Sequence, residues 1–175
     1  MNDPLHRYHQ LLDEVAAAMA PLLARHRATM QCGPRCAECC QALSLLAIEA
    51  RVITVAYQAL PPETRAAIRS RARETGAQCP FLLDGLCAIY PARPLICRTH
   101  GLAIGYVDEE REAIEVSACP RNFSADFPLA ADDLLLLDPF NARLAAINQE
   151  FATALGLATA TRVAMTDVVL HKPLA

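Results

Sequence analysis

Eight cysteines in two sets of four constrain this 175-residue chain more than any other feature. Cys32, Cys36, Cys39 and Cys40 lie within the run QCGPRCAECCQ, and Cys79, Cys87, Cys97 and Cys119 follow at wide intervals. Three chemical states suit such a pattern: metal or cluster ligands, redox-active thiols, or a disulfide framework. A chain of this length can bury roughly 70% of the surface its unfolded form exposes, so it does not need cysteines merely to stay folded. The opening MNDPLHRYHQLLDEV carries Asp3, Arg7, Asp13 and Glu14 inside an amphipathic pattern, without the basic-then-apolar order of a secretory signal. No window approaches the roughly 18 apolar residues of a membrane span. The chain therefore reads as cytoplasmic. In that compartment thiols stay reduced, and a cysteine-rich pattern points to metal binding or catalysis rather than to disulfides.

The spacing within each set narrows the chemistry. Cys32, Cys36 and Cys39 are separated by three and two residues, close enough for a turn to bring their sulfurs together. Gly33 and Pro34 favour that turn over a helix. Cys40 is harder to place, because adjacent residues tend to direct their side chains differently; it either reaches a second metal or stays in reserve. The second set has seven, nine and twenty-one intervening residues, too wide for a zinc ribbon, so folded loops must deliver those ligands. Such a site couples binding to folding.

The pattern between and around the cysteines is mostly helical. Leu5, Tyr8, Leu11, Leu12, Val15, Met19, Leu22 and Leu23 recur at steps of three and four, which predicts an amphipathic helix over 4–29, capped by Asp3-Pro4 and kinked or split at Pro21. SLLAIEARVITVAYQAL predicts a buried helix and PPETRAAIRSRARETG an exposed one. Together they make a helical hairpin that returns the chain toward the first cysteine set. From Cys79 to Cys119 the pattern changes: CPFLLDGLCAIYPARPLICRTHG is dense in Pro and Gly and reads as ordered loops, followed by a small hairpin of GLAIGYV and EAIEVSA around DEER. DDLLLLDPFNARLAAINQEFATALGL predicts one or two helices, and TRVAMTDVVLHKPLA a last short element. The fold class expected is mainly α: a single domain over 1–175 with a loop-rich cysteine region at 32–120, C-terminal helices within 128–170, and at most a small β-hairpin.

Two family patterns bear on these residues. The spacing Cys32-x3-Cys36-x2-Cys39 is similar to that by which radical S-adenosylmethionine enzymes hold a four-iron cluster. Those enzymes use a β/α barrel of more than about 200 residues, whose strand-helix alternation is missing here, and Glu38 stands where they usually have an aromatic residue. The chain resembles the YkgJ-type cysteine-cluster family of zinc- or iron-chelating domains over roughly residues 32–120. The run Cys32-Gly-Pro-Arg-Cys36-Ala-Glu-Cys39-Cys40 carries the resemblance, although its first gap is one residue longer than the CxxCxxCC shorthand. Glu49 in AIEA, CPFL at Cys79, GLCAIYPARPLICR through Cys87, Arg93, Pro94, Cys97 and Arg98, and finally Cys119 extend it. The resemblance implies a shared metal or iron-sulfur site built from the eight cysteines. It implies no reaction.

Around these candidate metal ligands, Arg93 and Arg98 flank Cys97 and could offset thiolate charge or donate to sulfur. The alternative is pairing with surface carboxylates. Glu49 sits in an apolar helix and could ligate a metal or hold Arg93 or Arg98, or else occupy a half-exposed position. His100 could complete a site; His6 and His9 read as solvated. A formal net charge of −3 and a pI near 5.9 give no electrostatic case for nucleic acid, and no membrane partner is expected. No phosphate loop or hydrolase motif occurs, and nothing assigns a reaction. The leading expectation is an iron-sulfur cluster or iron centre in a redox or accessory protein. The alternative is a structural zinc module that presents a surface to a protein partner, since sulfur-only ligation suits both metals.

Overall fold

The computed structural model describes residues 3–74, 76 and 78–170. The last five residues of the expected C-terminal element lie outside that range. The chain divides into two compact units, one formed by Met1–Gly33 and Arg98–Ile147, the other by Pro34–Cys97 and Asn148–Ala175.

In the first unit, helix α1 (Pro4–Arg25) starts where Asp3 accepts the Leu5 N–H at 3.3 Å, with Pro4 supplying a first-turn φ and no donor to satisfy. It runs through Pro21 without splitting and buries Tyr8, Leu11, Leu12, Val15 and Leu22. At its end Arg25 Nη1 and the buried His26 Nε2 each lie 3.0 Å from Asp133 Oδ1, and His26 meets Phe123 and Phe127 edge to face.

Three strands of this unit build a sheet. Strands β4 (Ile104–Asp108) and β5 (Ala113–Ser117) form the predicted hairpin, in antiparallel register from Ile104 opposite Ser117 to Asp108 opposite Ala113. On the other side of β4 runs β6 (Leu135–Leu136), parallel to it. Beyond β6 the ladder is extended by a side chain, as Val107 N–H donates to Asp138 Oδ2 at 2.8 Å.

The second unit opens with β1 (Ser44–Leu46), which pairs antiparallel with β7 (Arg162–Ala164). Helix α2 (Ala47–Gln58) and helix α3 (Pro62–Arg73) form the helical hairpin, and α6 (Met165–Leu170) packs on both. Their core gathers Ile53, Tyr57, Ile68, Phe81, Val163, Met165 and Val169. Strands β2 (Leu82–Leu83) and β3 (Leu86–Cys87) make a minimal hairpin. Its turn residues Asp84 and Gly85 both have positive φ, 50° and 78°, the conformation a two-residue hairpin loop requires. The remaining helices are α4 (Leu95–Thr99) and α5 (Asp138–Ala154), with short 3-10 turns at Tyr90–Ala92 and Ala131–Asp133.

The mainly α expectation is overturned. Three small sheets hold seven strands among the described residues, where at most one hairpin was expected. The leucine run Leu134–Leu137, assigned to helix by its composition, contributes β6, and the start of SLLAIEA is strand β1 rather than helix. Short apolar runs carry no period that separates strand from helix. What makes these segments strands is a partner far along the chain, Val163 for Leu45 and Ile104 for Leu135.

Candidate metal centre

Six of the eight cysteines belong to the second unit: Cys36, Cys39, Cys40, Cys79, Cys87 and Cys97. All eight are free thiols.

Four of the six are brought together by identifiable backbone contacts. Gln41 and Gln78 form an isolated antiparallel bridge, and Cys79 N–H donates to the Cys40 carbonyl at 3.1 Å, so the last cysteine of the first set lies beside the first of the second. The β2–β3 hairpin pairs Leu82 with Cys87 and is prolonged by Ala88 N–H to the Phe81 carbonyl at 2.9 Å, which folds Cys87 back toward Cys79. Pro94 then starts the turn of α4, whose first bond, Cys97 N–H to the Pro94 carbonyl at 3.0 Å, presents Cys97. Arg35 packs on the hairpin turn: a Cβ at Gly85 would stand 3.2 Å from Arg35 Cγ, so the glycine admits the CGPRC loop that carries Cys36.

These thiols lie against the apolar core and act on one another. Burial is the largest influence on each of Cys40, Cys79, Cys87 and Cys97, raising every one, with Cys79 pushed up to about 11 and Cys97 to about 12. Cys87 and Cys40 raise Cys79 further, and Cys79, Cys87 and Cys40 raise Cys97. Cys87 and Cys36 do the same to Cys40, while Cys39 donates a hydrogen bond to it. Opposing effects come from backbone N–H groups of Phe81 and Leu82 on Cys79 and of Ile89 on Cys87. The Arg93 guanidinium lowers Cys40, Cys87 and Cys97. Neighbouring sulfurs, amide donors beside them and one nearby cation are the surroundings a thiolate-bound metal needs. Cys79 also directs its S–H toward the buried thioether of Met165, 3.8 Å away. Among the described residues no three Cys, His, Asp or Glu side chains form a set that could hold a metal ion as they stand.

The remaining candidates take structural positions. Arg93 lies with its guanidinium carbon 3.7 Å above the Tyr90 ring and donates from Nη1 to the Cys97 carbonyl at 3.1 Å, which orients α4. Glu49 is buried, not half-exposed, and both oxygens are engaged: Oε1 accepts Leu95 N–H at 3.0 Å and Oε2 accepts Leu46 N–H at 3.2 Å. Burial pushes its carboxyl pKa up against those two donors and nearby Arg162. Through Leu95 it anchors the segment bearing Cys97. Arg98 is half-buried on α4; His100 is exposed and bridges to Leu102.

Cys32 and Cys119 belong to the first unit, where a residue the sequence reading passed over organises them. The buried Asn122 donates from Nδ2 to Cys32 Sγ at 3.2 Å and to the Gly101 carbonyl at 2.6 Å, and accepts Gln31 N–H at 2.7 Å. Its own N–H returns to the Cys119 carbonyl at 3.0 Å. Gly101 has φ +107°, and a Cβ there would stand 2.9 Å from Cys32 Sγ, so only glycine leaves room for the sulfur. The available signal for Asn122 was its place three residues after Cys119 in the loop CPRNFSADFP. The signal for the Cys79–Cys87 hairpin was the dipeptide Asp84-Gly85.

A family model described as "CxxCxxCC: Putative zinc- or iron-chelating domain" matches residues 31–120, which contain all eight cysteines. No curated protein and no solved structure matches the chain.

Proposed function

This chain belongs to the CxxCxxCC family of zinc- or iron-chelating domains, and from that premise we propose that it holds an iron-sulfur cluster, with Cys40, Cys79, Cys87 and Cys97 as its main ligands. The observation that carries the reading is that these four thiols, Cys40 from before the α2–α3 hairpin and Cys79, Cys87 and Cys97 from after it, are neighbours that raise one another's pKa, with Cys36 and Cys39 beside Cys40. Six thiols in one unit exceed what a single tetrahedral zinc uses, and sulfur-only donors suit a cluster. Cys40, the hardest cysteine to place from spacing, becomes the hinge between the two sets.

The donor set fits a thiophilic cation. Buried thiols that raise one another's pKa are short of positive charge, and a bound metal inverts that by deprotonating them outright. Cys40, Cys79, Cys87 and Cys97 would hold the group, with the backbone contacts at Cys40, Cys79 and Cys97 fixing where those side chains start. The Phe81, Leu82 and Ile89 N–H groups would donate to the ligand sulfurs, and Arg93 would offset the net thiolate charge. Bound there, a cluster supplies one-electron redox capacity, which suits an accessory role beside another protein. Cys32 and Cys119, held through Asn122 within the first unit, stay ligand candidates on the family pattern alone.

Purification without oxygen followed by iron, sulfide and zinc analysis tests this. The expected result is a brown protein with broad visible absorption and matched iron and sulfide. A colourless protein, free of iron and filled with zinc, establishes the structural zinc module instead.

A further inference from the structure

The three-stranded sheet of the first unit ends in an open edge. Strand β5 pairs only with β4 among the described residues, and all five of its residues are exposed. One face of the sheet near that edge is apolar: Ile114 and Val116 on β5, Val107 on β4 and Leu136 on β6 are each between 42% and 54% exposed. They share a face because Val107 opposes Ile114 and Gly105 opposes both Val116 and Leu136. Gly105 lets the face close over it, since a Cβ there would meet Leu136 Cδ2 at 2.9 Å and Ile114 Cγ2 at 3.1 Å.

The rim of this edge is strongly acidic. Residues 108–115 hold five carboxylates and one cation, Arg111, which is itself engaged by Asp108 at 3.1 Å and Glu115 at 3.0 Å. A hollow of about 420 Å³ is lined by Tyr106, Val107, Asp108, Glu109, Glu110 and Glu115. An exposed edge with apolar side chains is the template onto which another strand adds. A second copy of β5 paired antiparallel about its centre would set Glu115 opposite its own counterpart, and a parallel copy would lay the two acidic turns side by side, so the charge disfavours self-pairing and favours a basic occupant.

We propose that β5 is a docking edge for an extended segment of a partner protein in which Lys or Arg alternates with apolar residues. The segment adds as a fourth strand: its backbone pairs with the outer groups of β5, its apolar side chains continue the Ile114–Val116 face, and its cations meet Glu109, Glu110 and Glu115. This surface uses no cysteine, so its occupancy is independent of the metal.

The probe is a capped ten-residue peptide of alternating valine and lysine, added to the full chain, with the valine-glutamate peptide as control. Hydrogen exchange at Ala113–Ser117 slows with the lysine peptide alone, and affinity falls at least tenfold in 0.5 M salt on the order expected for exposed ion pairs. The same loss follows from E109K/E110K, both in an exposed turn, and from I114T/V116T. Unchanged exchange in β5, equal binding of the glutamate peptide, or a dimer of the chain that protects β5 without peptide would each overturn the proposal.

Discussion

The backbone N–H of Cys79 donates to the carbonyl of Cys40 at 3.1 Å, which places two cysteines from opposite ends of a helical hairpin side by side. Neither thiol then depends on local spacing to find the other. The pair is fixed by the return of the chain, and Cys87 and Cys97 are delivered to it by a hairpin turn and a short helix.

Replacing Cys79 or Cys97 with serine removes a ligand while keeping the volume. Each variant should lose at least ten-fold in metal affinity, read by chelator competition on protein loaded in the absence of oxygen. C32S, in the first unit, should lose less. Equal losses at all three positions would refute the assignment of the main ligands to the second unit.

The metal-free protein should lose stability in alkali. Burial first, and the neighbouring thiols second, raise Cys79 to about 11 and Cys97 to about 12, from an ordinary 9.0. The folded state therefore holds these protons more tightly than the unfolded state. The stability so contributed is complete below pH 9 and is lost as pH rises toward 12, at about 1.4 kcal/mol for each pKa unit and so by several kcal/mol for the two groups together. Urea melts in chelator at pH 8 and pH 10.5 measure this. A metal-loaded protein has no such protons to lose and should show a flatter profile.

Gly101 and Asn122 hold Cys32. G101A forces a Cβ to 2.9 Å from Cys32 Sγ at φ +107° and should cost about 1–3 kcal/mol. N122A leaves Gln31 N–H and the Gly101 carbonyl without their partner, at a similar cost of about 1–3 kcal/mol. In both variants alkylation of Cys32 should quicken relative to Cys119; an unchanged rate would show that Asn122 does not seat the sulfur.

Glu49 ties α2 to the segment that starts α4. E49A strips acceptors from Leu46 and Leu95 N–H and should destabilise the fold by about 1–3 kcal/mol. If Glu49 acts by positioning Cys97, the metal-loaded E49A protein should keep its visible spectrum and release metal faster. A changed spectrum would instead mark Glu49 as a ligand.

Local chemistry in the sequence determined much of this protein. Asp3-Pro4 and the three-four spacing of Tyr8, Leu11, Leu12 and Val15 predict α1, the paired prolines predict the start of α3, and the DEER turn predicts the β4–β5 hairpin, because each signal lies within a few residues of what it specifies. The cysteine run and the phrase around Cys97 carry the family, since ligand type is written in residue identity. Tertiary structure alone decided the rest. Leu135 is a strand residue because Ile104 lies beside it, and Leu45 because Val163 does. Cys40 joins Cys79, Cys87 and Cys97 because a bridge at Gln41 and Gln78 closes the loop, and Asn122 matters because folding sets it against Cys32. Pairing and ligand convergence depend on distances between residues remote in the chain, and a periodicity read along the chain contains no such distances.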